Sequence, residues 1–488
     1  MTNYQSEGFT YPDDFLHIIH NGLSSSVQKK RVIIIGAGMA GLTAGSLLKA
    51  AGHEVTILEA GSRLGGRVYT VRSPFSNGNY LDVGAMRIPT NHKLVYAYID
   101  KFGLETAPFQ NTRTNDLMLI NGKSVYYKDY EKNPAILDFP VDPEEQGKTA
   151  KDLFLSAVRP FLDLYNSSSD AEKERLRDQF SDLSMGEYLR NNPYGPSLSL
   201  NAVRKIKVVL GIEGFPEFAF LNILTDITFP IFQGDTKFRE IKGGNDRLPW
   251  AFYPYLSSSI HFCERAVAIN HYKDGVQVVS KNEKNGGFST WCGDYVLTTI
   301  PFTTFQWIDV HPYDTICIKK WAAIHEIINV PAVKIGIEFS CKFWEQYPVG
   351  NIITDYPSRF IYQPSHDGGK PGPGILLASY TWGQNALLFN SLSKKRAVQE
   401  VMSDLARVYG RVVYDTYMTS IVYNWSRDPY SAGCFTLFTP GQSRDLEDII
   451  PLPEGRIHFA GEHTSSYHGW IEGAIESGIR GAAEIHNR

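Results

Sequence analysis

The period of the apolar positions changes several times along the chain, and each change marks a different element. Arg31-Val-Ile-Ile-Ile35 is a continuous apolar run of strand length that ends in glycine. A helical pattern over 40–51 comes next, then a second strand-like run, Glu54–Glu59, which predicts a β–α–β opening. Residues 71–128 alternate short strand-like pieces with turn signals such as Asn121-Gly122. Between 129 and 239 the pattern turns helical. Glu, Lys, Asp and Leu dominate around 145–190, and Ser167-Ser-Ser-Asp170 reads as a helix start. Alternation returns near 260, where 275–279 and 295–300 read as strands. Stretches 331–340 and 373–382 read as longer strands of an antiparallel sheet. Residues 455–461 predict a last short strand ending in glycine, and 471–486 a closing helix. The polar, mixed stretch 1–29 reads as an arm or short helix packing on the rest.

Composition narrows the class. A chain of 488 residues has room for about two to four domains. With 43% hydrophobic and 20% charged residues it has ample material for packed cores, so a disordered or fibrous chain is excluded. A net charge of -4 provides no basic field, so nucleic acid is not expected as a partner. Nowhere do 18 apolar residues run together, so no membrane span is expected either. Cysteines stand at 263, 292, 317, 341 and 434, odd in number and widely spaced, which argues against a disulfide framework or a zinc site. The first residues lack the basic start and apolar run of a secretory leader, and a cytoplasmic setting is the expectation. Aromatic residues reach 13%, which suits a large apolar pocket as well as a large core.

The strongest local motif is Gly36-Ala-Gly38-Met39-Ala40-Gly41, placed after a strand and opening a helix. Gly36 permits the tight turn, Gly38 lets the backbone approach a pyrophosphate, and Gly41 lets helix and strand pack closely. The helix N-terminus then faces the negative charge. Glu59 closes the second strand, where its carboxylate can accept two hydrogen bonds from an adenosine ribose. A dinucleotide site is the expectation.

The residues after Glu59 point to FAD. Glu59-Ala60-Gly-Ser-Arg63-Leu-Gly65-Gly66-Arg67 resembles the segment after the ribose acid in two-domain FAD oxidoreductases of the amine oxidase type. The resemblance extends through Gly84-Ala85-Met86-Arg87-Ile-Pro89, Val333-Lys334-Ile335, Ala378-Ser-Tyr380-Thr-Trp-Gly383 and Trp425-Ser-Arg-Asp-Pro. It continues through Ser431-Ala-Gly-Cys434-Phe435, Phe459-Ala-Gly461-Glu462-His-Thr464 and His468-Gly469-Trp470-Ile471. In order and spacing, residues 30–488 are similar to L-amino acid oxidases of the flavin amine oxidase superfamily, relatives of the monoamine oxidases. The fold this implies is an α/β composite. A Rossmann-type FAD-binding domain is assembled from 30–70, 240–322 and 451–488. An antiparallel-sheet substrate-binding domain comes from 71–128 and 323–450, and a helical domain from 129–239, with 1–29 as an arm.

The resemblance also assigns roles. Arg87 takes the place of the arginine that grips the substrate α-carboxylate, and a guanidinium fork suits a carboxylate through two parallel charge-assisted hydrogen bonds. The alternative is a structural arginine paired with a local acid such as Asp82. Tyr380, or its neighbour Ser379 if the alignment shifts by one, matches the hydroxyl that shares the carboxylate. Lys334 matches a lysine that holds a water near flavin N5 and assists reaction with oxygen, the alternative being a lysine reaching out at a sheet edge. Phe435 and Trp470 match the walls that flank the substrate, and Gly469 leaves a carbonyl for the amine. Trp425 matches an aromatic beside the flavin. Gly461, Glu462 and Thr464 fall in the segment near the pyrophosphate and ribityl chain, and Val267 matches a valine whose backbone meets adenine.

Two departures are visible. No histidine stands near 222–228, where some relatives carry a proposed base. Asp226 or Thr228 falls there, and a helix-surface aspartate is the favoured reading over one facing a cation. The stretch 431–435 is also similar to the monoamine oxidase segment whose cysteine carries FAD through a thioether. Bond-free FAD is favoured, and a bond at Cys434 stays open. The implied reaction is oxidation of an L-amino acid by hydride transfer from Cα, then hydrolysis of the imine to a 2-oxo acid and ammonia, with oxygen reduced to hydrogen peroxide. An amine or polyamine oxidase, an amino acid 2-monooxygenase giving an amide, and a flavin protein with little turnover are the rival readings. A homodimer is the default expectation for a soluble oligomer.

Overall fold

Strands buried on both faces need unbroken apolar runs rather than alternation, and Arg31–Ile35, buried from Val32 onward, is the middle of such a sheet. Five parallel strands form it in the order Ile260–Phe262, Glu54–Glu59, Arg31–Ile35, Tyr295–Thr298 and Ile457–Phe459. The computed structural model describes residues 9–26, 28–212, 217–228, 236–366 and 368–488. Residues 1–8 and 27 of the expected arm, 213–216 and 229–235 of the expected helical insertion, and residue 367 lie outside the described residues.

The helix Met39–Ala50 leaves the first strand through the glycine-rich turn and packs against the last helix, Ile471–Asn487. The packing needs Gly41: a Cβ there would stand 2.1 Å from the carbonyl oxygen of Gly36. The amphipathic helix Asp13–Asn21 buries Phe15, Ile18 and Ile19 against the helix Lys93–Lys101 and the last helix. Lys30 ties the same end down by donating to the carbonyls of Ile485 and His486.

The second large sheet has seven strands, in the order Tyr417–Asn424, Ala332–Phe339, Gly374–Trp382, Phe360–Tyr362, Ile352–Thr354, Leu117–Ile120 and Lys123–Tyr126. The two long predicted strands pair antiparallel, with Lys334 opposite Tyr380. One pair departs from the antiparallel expectation: Ile352–Thr354 runs parallel to Leu117–Ile120, because that hairpin reaches the sheet from a distant part of the chain.

Between 150 and 210 the chain is helical, as Ala150–Ser167, Asp170–Phe180, Met185–Arg190 and Leu200–Leu210. The starts follow from capping chemistry. Reciprocal boxes join Thr149 to Asp152, Ser169 to Glu172 and Ser184 to Glu187. A short π-helical turn, Ile223–Thr228, ends the described part of this region. Among the described residues no helix is long and apolar enough to cross a membrane, and no cluster of His, Cys, Asp or Glu is arranged to hold a metal. All five cysteines are unpaired.

Candidate active site

A single cavity of about 1160 Å³ runs from the glycine-rich turn, past the seven-stranded sheet, to the helices of the insertion. At its first end the walls are Gly36, Gly38, Met39 and Ala40, then Glu59 and Ala60. No side chain caps the helix at Gly38, so its first amide groups remain for a ligand anion. Gly36 has φ +103°, a left-handed backbone that favours glycine. The Glu59 carboxylate is fixed from behind: Oε2 accepts from the Ala37 N–H at 2.8 Å and Oε1 from the Gly61 N–H at 2.7 Å. Burial pushes its pKa up against those two bonds. Gly41 is absent from the wall and serves the packing described above.

The middle of the cavity is lined by Arg67, Gly84, Ala85, Met86 and Cys434 together with Gly461, Glu462 and Ile471. Arg67 and Glu462 form a buried ion pair at 2.6 Å. The second oxygen of Glu462 accepts the Gly469 N–H at 2.7 Å. Burial alone would raise the Glu462 pKa, but Arg67, the neighbouring His463 and His468, and the Gly469 N–H outweigh it and hold it at about 2. Burial pushes the Cys434 thiol up to about 11.

At the far end Arg87, Lys334, Tyr380, Trp425, Phe435, Gly469 and Trp470 come together. Arg87 does not pair with Asp82. Its guanidinium donates to the side-chain oxygen of Asn111 and lies 5.2 Å from the ring centroid of Phe238, and it makes no ion pair among the described residues. Asp82 instead accepts from Thr70 Oγ1 and from the Asn245 N–H. Lys334 is not at a sheet edge; its strand lies between two others, and the side chain is 3% exposed. Its Nζ donates to the carbonyls of Gly84 at 2.6 Å and Asp82 at 3.2 Å and lies 4.8 Å from the Tyr380 ring centroid. Burial pulls its pKa below the ordinary lysine value. Tyr380 faces the cavity, whereas Ser379 turns away and donates to the carbonyl of Ser358. Trp425 donates its indole N–H to the carbonyl of Val83.

One expected residue falls outside the cavity wall, and one expectation needs correction. Val267 is not part of the wall; Glu264, Arg265 and Ala266 are. The register of this strand slips between Ala266 and Ala268, so Val267 is the extra residue of a bulge and leaves the line its neighbours follow. Asp226 is not on a helix surface either. It is 2% exposed, and its carboxylate meets His468 Nδ1 at 3.0 Å.

The structure also brings in residues that the motif reading missed. His92 lines the cavity, with its ring edge-on to Trp470 at 5.0 Å and its buried Nε2 without a partner among the described residues. Burial lowers its pKa to about 3. It stands five positions after Arg87, beyond the short strand Ile88–Pro89 and at the start of the helix Lys93–Lys101, and asking what else follows Arg87 was the available signal. Asn111, Phe109, Phe360, Tyr362 and Trp382 complete the far end. Asn111, Phe109, Phe360 and Tyr362 lie in segments without a motif, so nothing local marked them, whereas Trp382 stands inside the motif segment 378–383 and was passed over.

The residues present fit FAD. An open helix N-terminus, a fixed carboxylate at the end of the second strand, and a cavity far longer than an amino acid suit an adenosine, a pyrophosphate and a ring system in sequence. Residues 39–486 match the family described as flavin containing amine oxidoreductase. The chain is 41% identical to YobN of Bacillus subtilis (strain 168), over 97% of this chain and 98% of that protein. It is 35% identical to an L-amino-acid oxidase of Siganus canaliculatus, over 98% and 89%. It is 33% identical to one of Crotalus adamanteus, over 97% and 90%. Cyclohexylamine oxidase from Brevibacterium oxydans has the same fold with a TM-score of 0.75 over 94% of this chain and 99% of that one, at 19% identity. A putrescine oxidase with redesigned cofactor binding gives 0.76 over 94% and 98%, at 18%. The chain belongs to the flavin-containing amine oxidoreductases, groups there with the L-amino-acid oxidases, and uses a flavin cofactor.

Proposed function

We propose that this protein is an FAD-dependent L-amino acid oxidase that forms 2-oxo acids, ammonia and hydrogen peroxide, with oxygen as acceptor. The observation that carries the reading is Arg87, a cation at the cavity wall held by a neutral amide and no carboxylate among the described residues. An enzyme for simple amines has no use for that charge, whereas a carboxylate substrate neutralises it through paired charge-assisted hydrogen bonds.

Glu59, Gly36, Gly38, Met39, Ala40, Ala60, Arg67, Gly461, Glu462 and Ile471 would hold FAD, with Gly84, Ala85, Met86, Trp425 and Cys434 toward its ring. FAD supplies the hydride acceptor when bound. Arg87 and the Tyr380 hydroxyl fix the carboxylate, and Phe435, Trp470 and Gly469 orient the amine and Cα and keep water out. Lys334 holds positive charge and a water where oxygen is reduced. Solvent is the acceptor for the ammonium proton of the substrate, since Asp226 is engaged by His468. Phe109, Phe360, Tyr362 and Trp382 favour a large apolar or aromatic side chain. FAD is held without a covalent bond. The division into FAD-binding, substrate-binding and helical domains follows the two sheets and the helices of the insertion. The five unpaired cysteines support a cytoplasmic setting.

The test is peroxide release from the purified holoenzyme with a panel of L-amino acids beside the matching decarboxylated amines. Peroxide and 2-oxo acid from amino acids alone is the expected result. Turnover of amines alone overturns the carboxylate role of Arg87, and an amide product marks a monooxygenase.

A further inference from the structure

His468 and Trp470, which flank Gly469, are held by contacts that converge on one residue outside the cavity. His468 Nδ1 meets Asp226 Oδ2 at 3.0 Å, and the Trp470 indole N–H donates to the main-chain carbonyl of Asp226 at 2.8 Å. Between them, the Gly469 N–H donates to Glu462, whose other oxygen meets Arg67. The loop is therefore clamped on one side by the middle of the cavity and on the other by the π-helical turn Ile223–Thr228 of the insertion. Neither Asp226 nor His468 belongs to the cavity wall. Both are buried, at 2% and 4% exposure.

A buried ion pair is a poor means of stabilisation, because apolar residues of the same volume often serve as well or better. What it supplies is direction: two charged groups that leave each other become uncompensated, so the contact has one geometry. Asp226 uses side chain and main chain on neighbouring residues of one loop, which fixes both the height of the loop and the rotation of the indole.

We propose that Asp226 is a positioning residue of this oxidase, acting through His468 and its own carbonyl to set Trp470 and Gly469 against the substrate. This rests on the reading of Trp470 and Gly469 as substrate walls.

The charge state of the pair is set by everything that faces His468. Asp226 approaches from the insertion, Glu447 from the segment after Gln442–Leu446, Glu462 and His463 from the turn Glu462–Thr464, and Glu476 from the last helix. Arg67 faces Glu462, and Arg177 faces Glu447. The Phe438 ring lies 4.9 Å from the imidazole. Burial alone would lower His468, but Asp226 leads the three carboxylates Asp226, Glu462 and Glu447 in raising it to about 9. The imidazolium is then present at neutral pH and is lost as pH rises through that value.

The experiment compares wild type, Asp226→Ala and Asp226→Asn as purified holoenzymes, with FAD per chain, kcat, KM and the pH profile of kcat/KM on the L-amino acid panel. Asp226→Ala should keep bound FAD and lose about 10- to 100-fold in kcat/KM, the scale of a displaced wall. Asp226→Asn keeps the volume and a hydrogen-bond acceptor and removes the charge. Its alkaline limb should move at least one unit toward acid relative to wild type, while titrations of other groups stay in place. Should the alanine variant not fold, the asparagine profile alone decides. Wild-type kcat/KM and an unmoved limb in Asp226→Asn overturn the proposal. A wild-type enzyme inactive on every amino acid strikes the underlying reading instead, and does so before any variant is made.

Discussion

The two ends of the cavity are built on opposite plans. At the nucleotide end the protein's charges are already answered: two backbone N–H groups hold Glu59, and Arg67 pairs with Glu462. At the substrate end Arg87 has a neutral amide, Lys334 has two carbonyls, and His92 Nε2 has no partner among the described residues. The first plan suits a ligand that arrives once and stays. The second leaves cationic charge for an anion that comes and goes, inside walls that make that charge count for more than it would in water.

The comparison can be broken most severely at Gly41. Its Cβ would meet the carbonyl oxygen of Gly36 at 2.1 Å, and both are backbone in a close helix–strand contact. Gly41→Val should abolish holoenzyme, read as loss of flavin absorbance in the soluble fraction, whereas a full yellow complement would show that the turn can give way. Arg87→Ala attacks the other end alone. FAD content should stay at wild-type level while kcat/KM for amino acids falls about 100-fold, from the loss of about 3 kcal/mol of charge-assisted hydrogen bonding. An unchanged KM across the panel would remove Arg87 from the carboxylate. Lys334→Met should slow reoxidation of the reduced enzyme by oxygen by up to about 100-fold, the low end of what one positioned donor contributes. Burial lowers the pKa of Lys334, so its charge is present below that lowered value and disappears as pH rises through it. Stopped-flow reoxidation should therefore show an alkaline limb in wild type that Lys334→Met lacks. The smallest effect belongs to Cys434→Ala, at less than about 2-fold in activity, since a buried cysteine acts as a small apolar residue. Acid precipitation of wild type should release all of the yellow colour; colour kept in the pellet marks a thioether.

The same two plans explain what could be read in advance. Gly36, Gly38, Gly41 and Glu59 lie within one β–α–β unit, so the distances that matter are fixed by a contiguous stretch and show as spacing. Lys334 and Tyr380 were readable through the motif segments that carry the resemblance, and the structure sets them opposite each other on neighbouring long strands. Asn111 and Phe360 carry no such mark, since they reach the substrate end only through tertiary packing. Asp226 and His468 stand 242 positions apart, and no local pattern announces a pair at that separation. Val267 shows a different limit: a one-residue bulge, invisible in the spacing, sets it off the cavity wall that Glu264, Arg265 and Ala266 line.

The order of the strands has a consequence for how the protein is made. The glycine-rich turn leaves the ribosome well before Ile457–Phe459, which closes one edge of its sheet, has been made. At typical translation rates the interval is on the order of tens of seconds. During it the nascent chain holds half a cradle and an open sheet edge. Cofactor capture by a complete cradle thus follows the synthesis of that strand. Nascent chains stalled before 457 should carry no flavin.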